Sequence, residues 1–191
     1  SSKGNYKAVS LSCFAEQGEA VEGHLPVPIN KMSDKSLEYL VIKLNDYSQM
    51  GFSKSLKKYL KSNRVETETL ANQNNQYAQC LMGFWYASDN LEAEGELNFL
   101  EKRMYWYEKS ALNGFVLAMV STANFYDGMG NLRTDLRKAA YWYRQAALKG
   151  EIHCAYNLAV MYSQGDGVQH NKNQASLWLS YAFMYADEDF K

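Results

Sequence analysis

Residues 105–114 read YWYEKSALNG, and residues 141–150 read YWYRQAALKG. Six of these ten positions are identical, and the offset between the two stretches is 36 residues. A third, worn copy follows after the same interval, where Trp178 aligns with Trp142 and Ala182 with Ala146. Tryptophans at 106, 142 and 178 are therefore evenly spaced to the residue. Self-similarity at such a period marks a repeat architecture, in which each unit is one supersecondary element stacked on the next.

Working outward from the tryptophans, the segment before each also repeats. Ala78, Leu81, Met82 and Trp85 fall at 0, 3, 4 and 7, as do Ala118, Ser121, Thr122 and Phe125, and again Ala155, Leu158, Ala159 and Tyr162. That is the stripe of a helix packing one face. Ser88, Gly128 and Gly165 stand three residues beyond each aromatic, and the glycines of Gly128-Met129-Gly130 and Gly165-Asp166-Gly167 permit a reversal. Thr134-Asp135 and Asn171 can open a second helix, which stops at Gly114 or Gly150. Each unit is thus helix A, a turn, helix B and a stop. One hairpin cannot bury both its apolar faces, so the units stack, and the expected fold is an all-α, right-handed α-solenoid.

The pattern Ala155-x-x-Leu158-Ala159-x-x-Tyr162-x-x-Gly165-x-Gly167, with Ala139-x-x-Trp142-Tyr143-x-x-Ala146-Ala147-x-x-Gly150, resembles the Sel-one-like repeat (SLR) family, a relative of the tetratricopeptide repeat. The resemblance covers residues 76–186. It divides the chain into residues 1–75, a helical region of degenerate repeats, and residues 76–191, three repeats at about 76–114, 115–150 and 151–186. Ser121-Thr122 in place of the usual Leu-Gly, and a first repeat without turn glycines, depart from the family pattern.

In the first 75 residues, 33–48 read as a helix capped by Ser33 or Asp34, with Leu37, Leu40, Val41 and Leu44 on one face. Residues 51–63 make another, with Phe52, Leu56, Tyr59 and Leu60 inward, and residues 6–17 a third. Cys13-Phe14-Ala15-Glu16, followed by His24-Leu25-Pro26, is similar to the opening of a domain that precedes such repeats in bacterial immunity proteins. This second resemblance implies a partner that is a type VI secretion effector, a phospholipase above all.

The composition agrees with a packed helical chain. Apolar residues make up 47% and charged residues 21% of 191, which is outside the disordered range. Twenty Lys+Arg against 21 Asp+Glu give a net charge of −1, which argues against nucleic acid, because binding phosphates needs a basic excess. The longest nearly apolar run, 81–87, is too short to cross a bilayer, so no transmembrane segment is expected. The first residues, Ser1-Ser2-Lys3, leave open an export signal or lipid anchor removed earlier. The expected location is the periplasm, with the cytoplasm as the alternative. Cys13, Cys80 and Cys154 form no CxxC pair, and such sparse use fits either compartment.

No catalytic or metal-binding set emerges, and no cofactor is expected. His153-Cys154 are helix neighbours pointing about 100° apart, a poor geometry for a base acting on a nucleophile. HExxH, GxSxG and P-loop signatures are absent. The glycine turns lie at helix corners and read as structural. Lys54, Lys57, Lys58, Lys61 and Arg64 suit a solvated helix face, or a contact with anionic lipid or an acidic partner.

What remains is binding. In related helical repeats the inner face is lined by helix A positions beside the anchor stripe. Mapped here, these are Gln79, Tyr86, Met119, Tyr126, Asp127, His153, Tyr156 and Gln164. The insertion at 88–97 adds Asp89, Glu92, Glu94 and Glu96 as acidic contacts for a basic partner. Trp85, Trp106, Trp142, Trp178, Phe125 and Tyr162 are assigned to the core. The resulting expectation is a non-enzymatic protein-binding solenoid, an immunity protein neutralising a type VI effector. The alternative is a general SLR adaptor or scaffold in bacterial signalling or assembly.

Overall fold

A computed structural model describes residues 28–48, 54–86, 96–128 and 134–186. Among them every regular element is helical and there is no strand. A single 3-10 turn at Ile29–Lys31 precedes α1 (Asp34–Ser48), α2 (Lys54–Ser62), α3 (Arg64–Asn72), α4 (Gln76–Trp85), α5 (Glu96–Leu112), α6 (Val116–Tyr126), α7 (Leu136–Ala147), α8 (Ile152–Gln164) and α9 (Lys172–Ala186). From α3 onward each helix packs against the next, and α1 packs on α4. The result is an all-α solenoid with α4, α6 and α8 as A helices and α5, α7 and α9 as B helices.

The ends of these helices are set by local chemistry. Asn75 caps α4, its side-chain oxygen accepting from the amides of Tyr77 (3.1 Å) and Ala78 (3.0 Å). Asp135 accepts from Lys138 N (3.2 Å) and Asn171 from Gln174 N (3.0 Å), so the carboxylate of the Thr134-Asp135 pair is the cap that opens α7. Ser33, rather than Asp34, caps α1 by accepting from Ser36 N (3.3 Å). Such caps satisfy amides that have no partner within the helix.

At the other end, Gly114 and Gly150 have φ of +96° and +98°. Gly114 N bonds Ala111 O and Phe115 N bonds Ser110 O; Gly150 N bonds Ala147 O and Glu151 N bonds Ala146 O. This paired pattern is the Schellman motif, and glycine enters its left-handed position without a Cβ penalty. The end of α3 has the same motif built on asparagine. Asn74 has φ +71°, its amide reaches Ala71 O, and Asn75 N reaches Leu70 O. The A-to-B turns also match one another: Asp135 N returns to Tyr126 O, and Asn171 N to Tyr162 O, both at 2.9 Å.

The core runs continuously from Ile29 and α1 to Trp178 and Ala182. Trp106, Trp142, Trp178 and Phe125 are buried as the spacing predicts. Trp85 and Tyr162 are only half-buried, and the Arg64 guanidinium lies over the Trp85 ring at 4.3 Å. Where α4 crosses α5, Gly83 abuts the fully buried ring of Tyr107: a Cβ there would stand 2.5 Å from ring atoms Cδ1 and Cε1. In the amino-terminal part, Leu37, Leu40, Val41, Leu44, Tyr59 and Leu60 are buried. The expected helix at 6–17, the motif at 13–26, Phe52 and the 88–95 part of the acidic insertion lie outside the described residues.

Candidate binding surface

The residues expected to line an inner groove fall into two groups. Gln79, Tyr86, Met119 and Tyr126 are buried, which corrects the expectation that they form an exposed row of anchors. The A-helix stripe is wider than its four anchor positions. Residues one place beyond the anchors pack within the stack, as Tyr86 does against Phe99 with ring centroids 5.7 Å apart. Asp127, His153, Tyr156 and Gln164 are exposed. Asp89, Glu92 and Glu94 lie outside the described residues; Glu96 begins α5, and nothing further is described of its side chain.

Gln79 holds repeats together rather than facing outward. Its Nε2 donates to Ala71 O (3.1 Å) and to Asn74 Oδ1 (3.2 Å). Asn113 Nδ2 donates to Gln79 Oε1 (2.8 Å) and to the same Asn74 oxygen (3.1 Å). A fully buried amide is stable only when its groups are paired in this way. Asp34, Asn74, Asn75, Gln76, Tyr77 and Asn113 line a polar cleft beside it of about 290 Å3.

Tyr126 is buried, with its hydroxyl between two charged side chains. Lys138 Nζ donates to it, and it donates to Glu108 Oε1, each at 3.1 Å. Burial raises the Tyr126 pKa, and the hydrogen bond to Tyr126 is the main cause of a raised Lys138 pKa. Asp127, though exposed, is engaged structurally: its Oδ2 accepts from the Tyr143 hydroxyl at 2.9 Å, a hydroxyl equally close to Asn124 Oδ1. Burial pushes the Tyr143 phenol upward, and the hydrogen bond to Asp127 adds to this.

The described residues contain little that could do chemistry. No group of three or more His, Cys, Asp or Glu among them is arranged to hold a metal ion. Cys80 and Cys154 are free, buried thiols. Burial drives the Cys80 pKa up and pushes Cys154 up to about 12, which suppresses the reactive thiolate. No described helix is long and apolar enough to cross a membrane.

Three of the four exposed residues, His153, Tyr156 and Gln164, lie on α8, and Asp127 stands at the end of α6. Tyr156 is 53% exposed, whereas the residues in register with it, Gln79 and Met119, are 0% and 5% exposed. Sequence spacing could not separate these positions, because all three have the same helix phase. What differs is the packing around each: Gln79 is enclosed by the end of α3 and by Asn113, whereas Tyr156 is open.

Comparison with known proteins supports this architecture. Residues 104–115, 117–151 and 152–184 match the Sel1 repeat family model. The chain is similar to a Sel1 repeat protein from Oxalobacter formigenes, with TM-score 0.52 and 22% identity, over 62% of this chain and 87% of that one. It is also similar to c5321, a protective antigen present in uropathogenic Escherichia coli strains displaying an SLR fold. There the TM-score is 0.54 and the identity 24%, over 78% of this chain and 30% of that one. The chain thus spans less than a third of that antigen. At these identities the likeness establishes the fold, and no curated protein matches the chain. Residues 104–184 are thus similar to Sel1 repeats, and a stack of helix pairs of this kind is an architecture suited to a protein-binding scaffold.

Proposed function

We propose that this chain is a non-enzymatic binding protein that grips and neutralises a type VI secretion effector, a phospholipase, in the periplasm. The Sel1 repeats support the coarser half of this reading, because a stack of helix pairs offers a rigid preformed surface to a protein partner. The short resemblance of residues 13–26 to immunity proteins supports the finer half. The observation that carries the binding reading is the exposure of Tyr156 where its register equivalents are buried. A tyrosine buries large area with few rotatable bonds, so it anchors an interface at small entropic cost.

The contact surface is therefore centred on Tyr156, with His153 and Gln164 on the same helix and the 88–97 carboxylates as a long-range attractor for a basic partner. An interface of ordinary size, roughly 1,600 Å2 in total, would extend beyond these side chains onto neighbouring repeats.

Coexpression with a toxic phospholipase effector delivered to the periplasm tests the reading. Wild-type protein should restore growth, and Tyr156→Ala should weaken the purified complex by at least ~2 kcal/mol while the helical circular dichroism is unchanged. Wild-type affinity in that variant would move the contact elsewhere. A physical complex with a non-toxic signalling protein, and no rescue, would favour the adaptor reading, and with it the cytoplasm.

A further inference from the structure

The outer faces of the B helices carry a pattern that neither the core nor the Tyr156 surface uses. One exposed position on α5, α7 and α9 is occupied by Tyr105, Tyr141 and Leu177, at 49%, 54% and 64% exposure. Seven residues further, on the same face of each helix, stand Leu112, Leu148 and Met184, at 70%, 61% and 67%. Both rows keep the 36-residue period. A lone exposed leucine is ordinary, but six large apolar side chains exposed in register on three successive B helices call for a partner.

The tyrosines are held in one pose. The Tyr105 and Trp106 rings meet edge to face at 5.1 Å and 75°, and Tyr141 and Trp142 do so at 5.1 Å and 77°. Lys109 lies over Tyr105 at 4.7 Å, yet the ring stays half exposed. The polar positions along the same stripe differ in charge from helix to helix. On α5 they are Glu101 and Glu108; on α7 they are Arg137 and Arg144; on α9 they are Asn173 and Ser180. Acid along this stripe of α5, base along that of α7 and apolar side chains between them make the face complementary to itself. Glu108 also accepts from the Tyr126 hydroxyl, and Lys109 is seated on the flank over Tyr105.

We propose that this face is a twofold interface between two copies of this chain, with α5 of each copy lying over α7 of the other. As B helices of successive hairpins, α5 and α7 run in the same direction. Rotation by 180° about an axis in the interface, parallel to these helices and midway between them, carries α5 onto α7 without changing height. Glu101 then faces Arg137 of the second copy, Glu108 faces its Arg144, Tyr105 meets Tyr141 and Leu112 meets Leu148. Every such contact occurs twice, as a twofold interface requires. An axis across the helices would instead set Glu against Glu and Arg against Arg, so the charges select the axis. The same charges guard against wrong pairings more than they add affinity, and the apolar rows supply the burial.

Sedimentation velocity or light scattering on the full chain, over the micromolar range, tests this proposal. Wild type should show the dimer mass. Arg137→Glu alone and Glu101→Arg alone should each raise the dimer dissociation constant at least roughly 30-fold, since like charges then face each other twice. An equimolar mixture of the two variants should recover the dimer mass, because each then supplies the charge that the other lacks. Leu148→Ser should weaken the dimer independently of charge. All three substituted positions are exposed, and circular dichroism checks that the variants remain folded. A monomeric wild type overturns the proposal, including one that binds anionic phosphatidylglycerol vesicles, where lipid would be the occupant. A mixture that stays monomeric, or a charge variant that dimerises as wild type does, overturns it equally.

Discussion

Gly83→Ala separates two opposing effects at one atom. In the interior of α4, replacing glycine by alanine favours the helix by about 1 kcal/mol, since alanine loses less backbone entropy on folding. Against that, the new Cβ would lie 2.5 Å from Cδ1 and Cε1 and 2.9 Å from Cζ of Tyr107, about an ångström inside contact distance. The ring has nowhere to go. Tyr107 is 1% exposed, packs edge to face on Phe84 at 5.8 Å and lies beneath the Arg103 guanidinium at 5.6 Å. Overpacking of this kind costs roughly 1–3 kcal/mol, so the net effect is a loss of up to about 2 kcal/mol. Urea titration followed by circular dichroism measures it as a lower midpoint at constant slope. The decisive measurement is the double-mutant cycle with Tyr107→Leu. In that background the clash is gone, and Gly83→Ala should become neutral or stabilising, a coupling of about 1–3 kcal/mol. If Gly83→Ala alone raises the midpoint, the close approach of α4 and α5 at this position is wrong.

Trp142→Ala empties the middle of the stack at a 5% exposed site and should cost ~3–5 kcal/mol in chemical denaturation; an unchanged midpoint would place that ring outside the core. Reducing agent should leave the melting temperature unaltered, and thiol reagents should label Cys80 and Cys154 only in denaturant, because both thiols are buried and hold their protons. Alkali should unfold the protein. Burial raises Tyr59 from its ordinary 10 to about 12, so its contribution is full below pH 10. It is lost as pH rises towards 12, because the unfolded chain gives up the proton first. Cys154 behaves alike from pH 9 to about 12, and a midpoint constant from pH 8 to 12 would contradict both.

The repeat was legible because its markers are residues with few substitutes. Tryptophan fills the buried site on each B helix, and glycine takes the left-handed stop at 114 and 150. The stop of α3 escaped the same reading because Asn74 stands where glycine is expected, although asparagine is the side chain that best tolerates that backbone. Helix boundaries near caps were readable to within a residue, as at Ser33 and Asp135. The surface was far less legible. Periodicity reveals that one face is apolar, but an A helix of a solenoid is also covered by neighbouring helices on its flanks, as Gln79 is by the end of α3 and Tyr86 by Phe99 of α5. Gln79, Tyr86, Met119 and Tyr126 therefore read as surface and are buried. The outer rows stand in the sequence as the repeated Tyr105/Tyr141 and Leu112/Leu148, but only their exposure in the structure separates them from the buried tryptophans beside them.

The main packing of α3 to α9 runs from each helix to the next, and this shapes how the molecule comes apart. A globular core is lost all at once; a linear stack opens from its ends, because an end helix pair is held from one side only. Beyond α9 no described repeat follows, and Tyr181, whose hydroxyl donates to Ala147 O at 3.1 Å, ties α9 back to the end of α7. Backbone amides of α8 and α9 should therefore exchange with solvent deuterons faster than those of α6 and α7, in steps one hairpin deep. A partner seated on Tyr156 would clamp that end, and slowed exchange spreading inward from α8 would record its arrival.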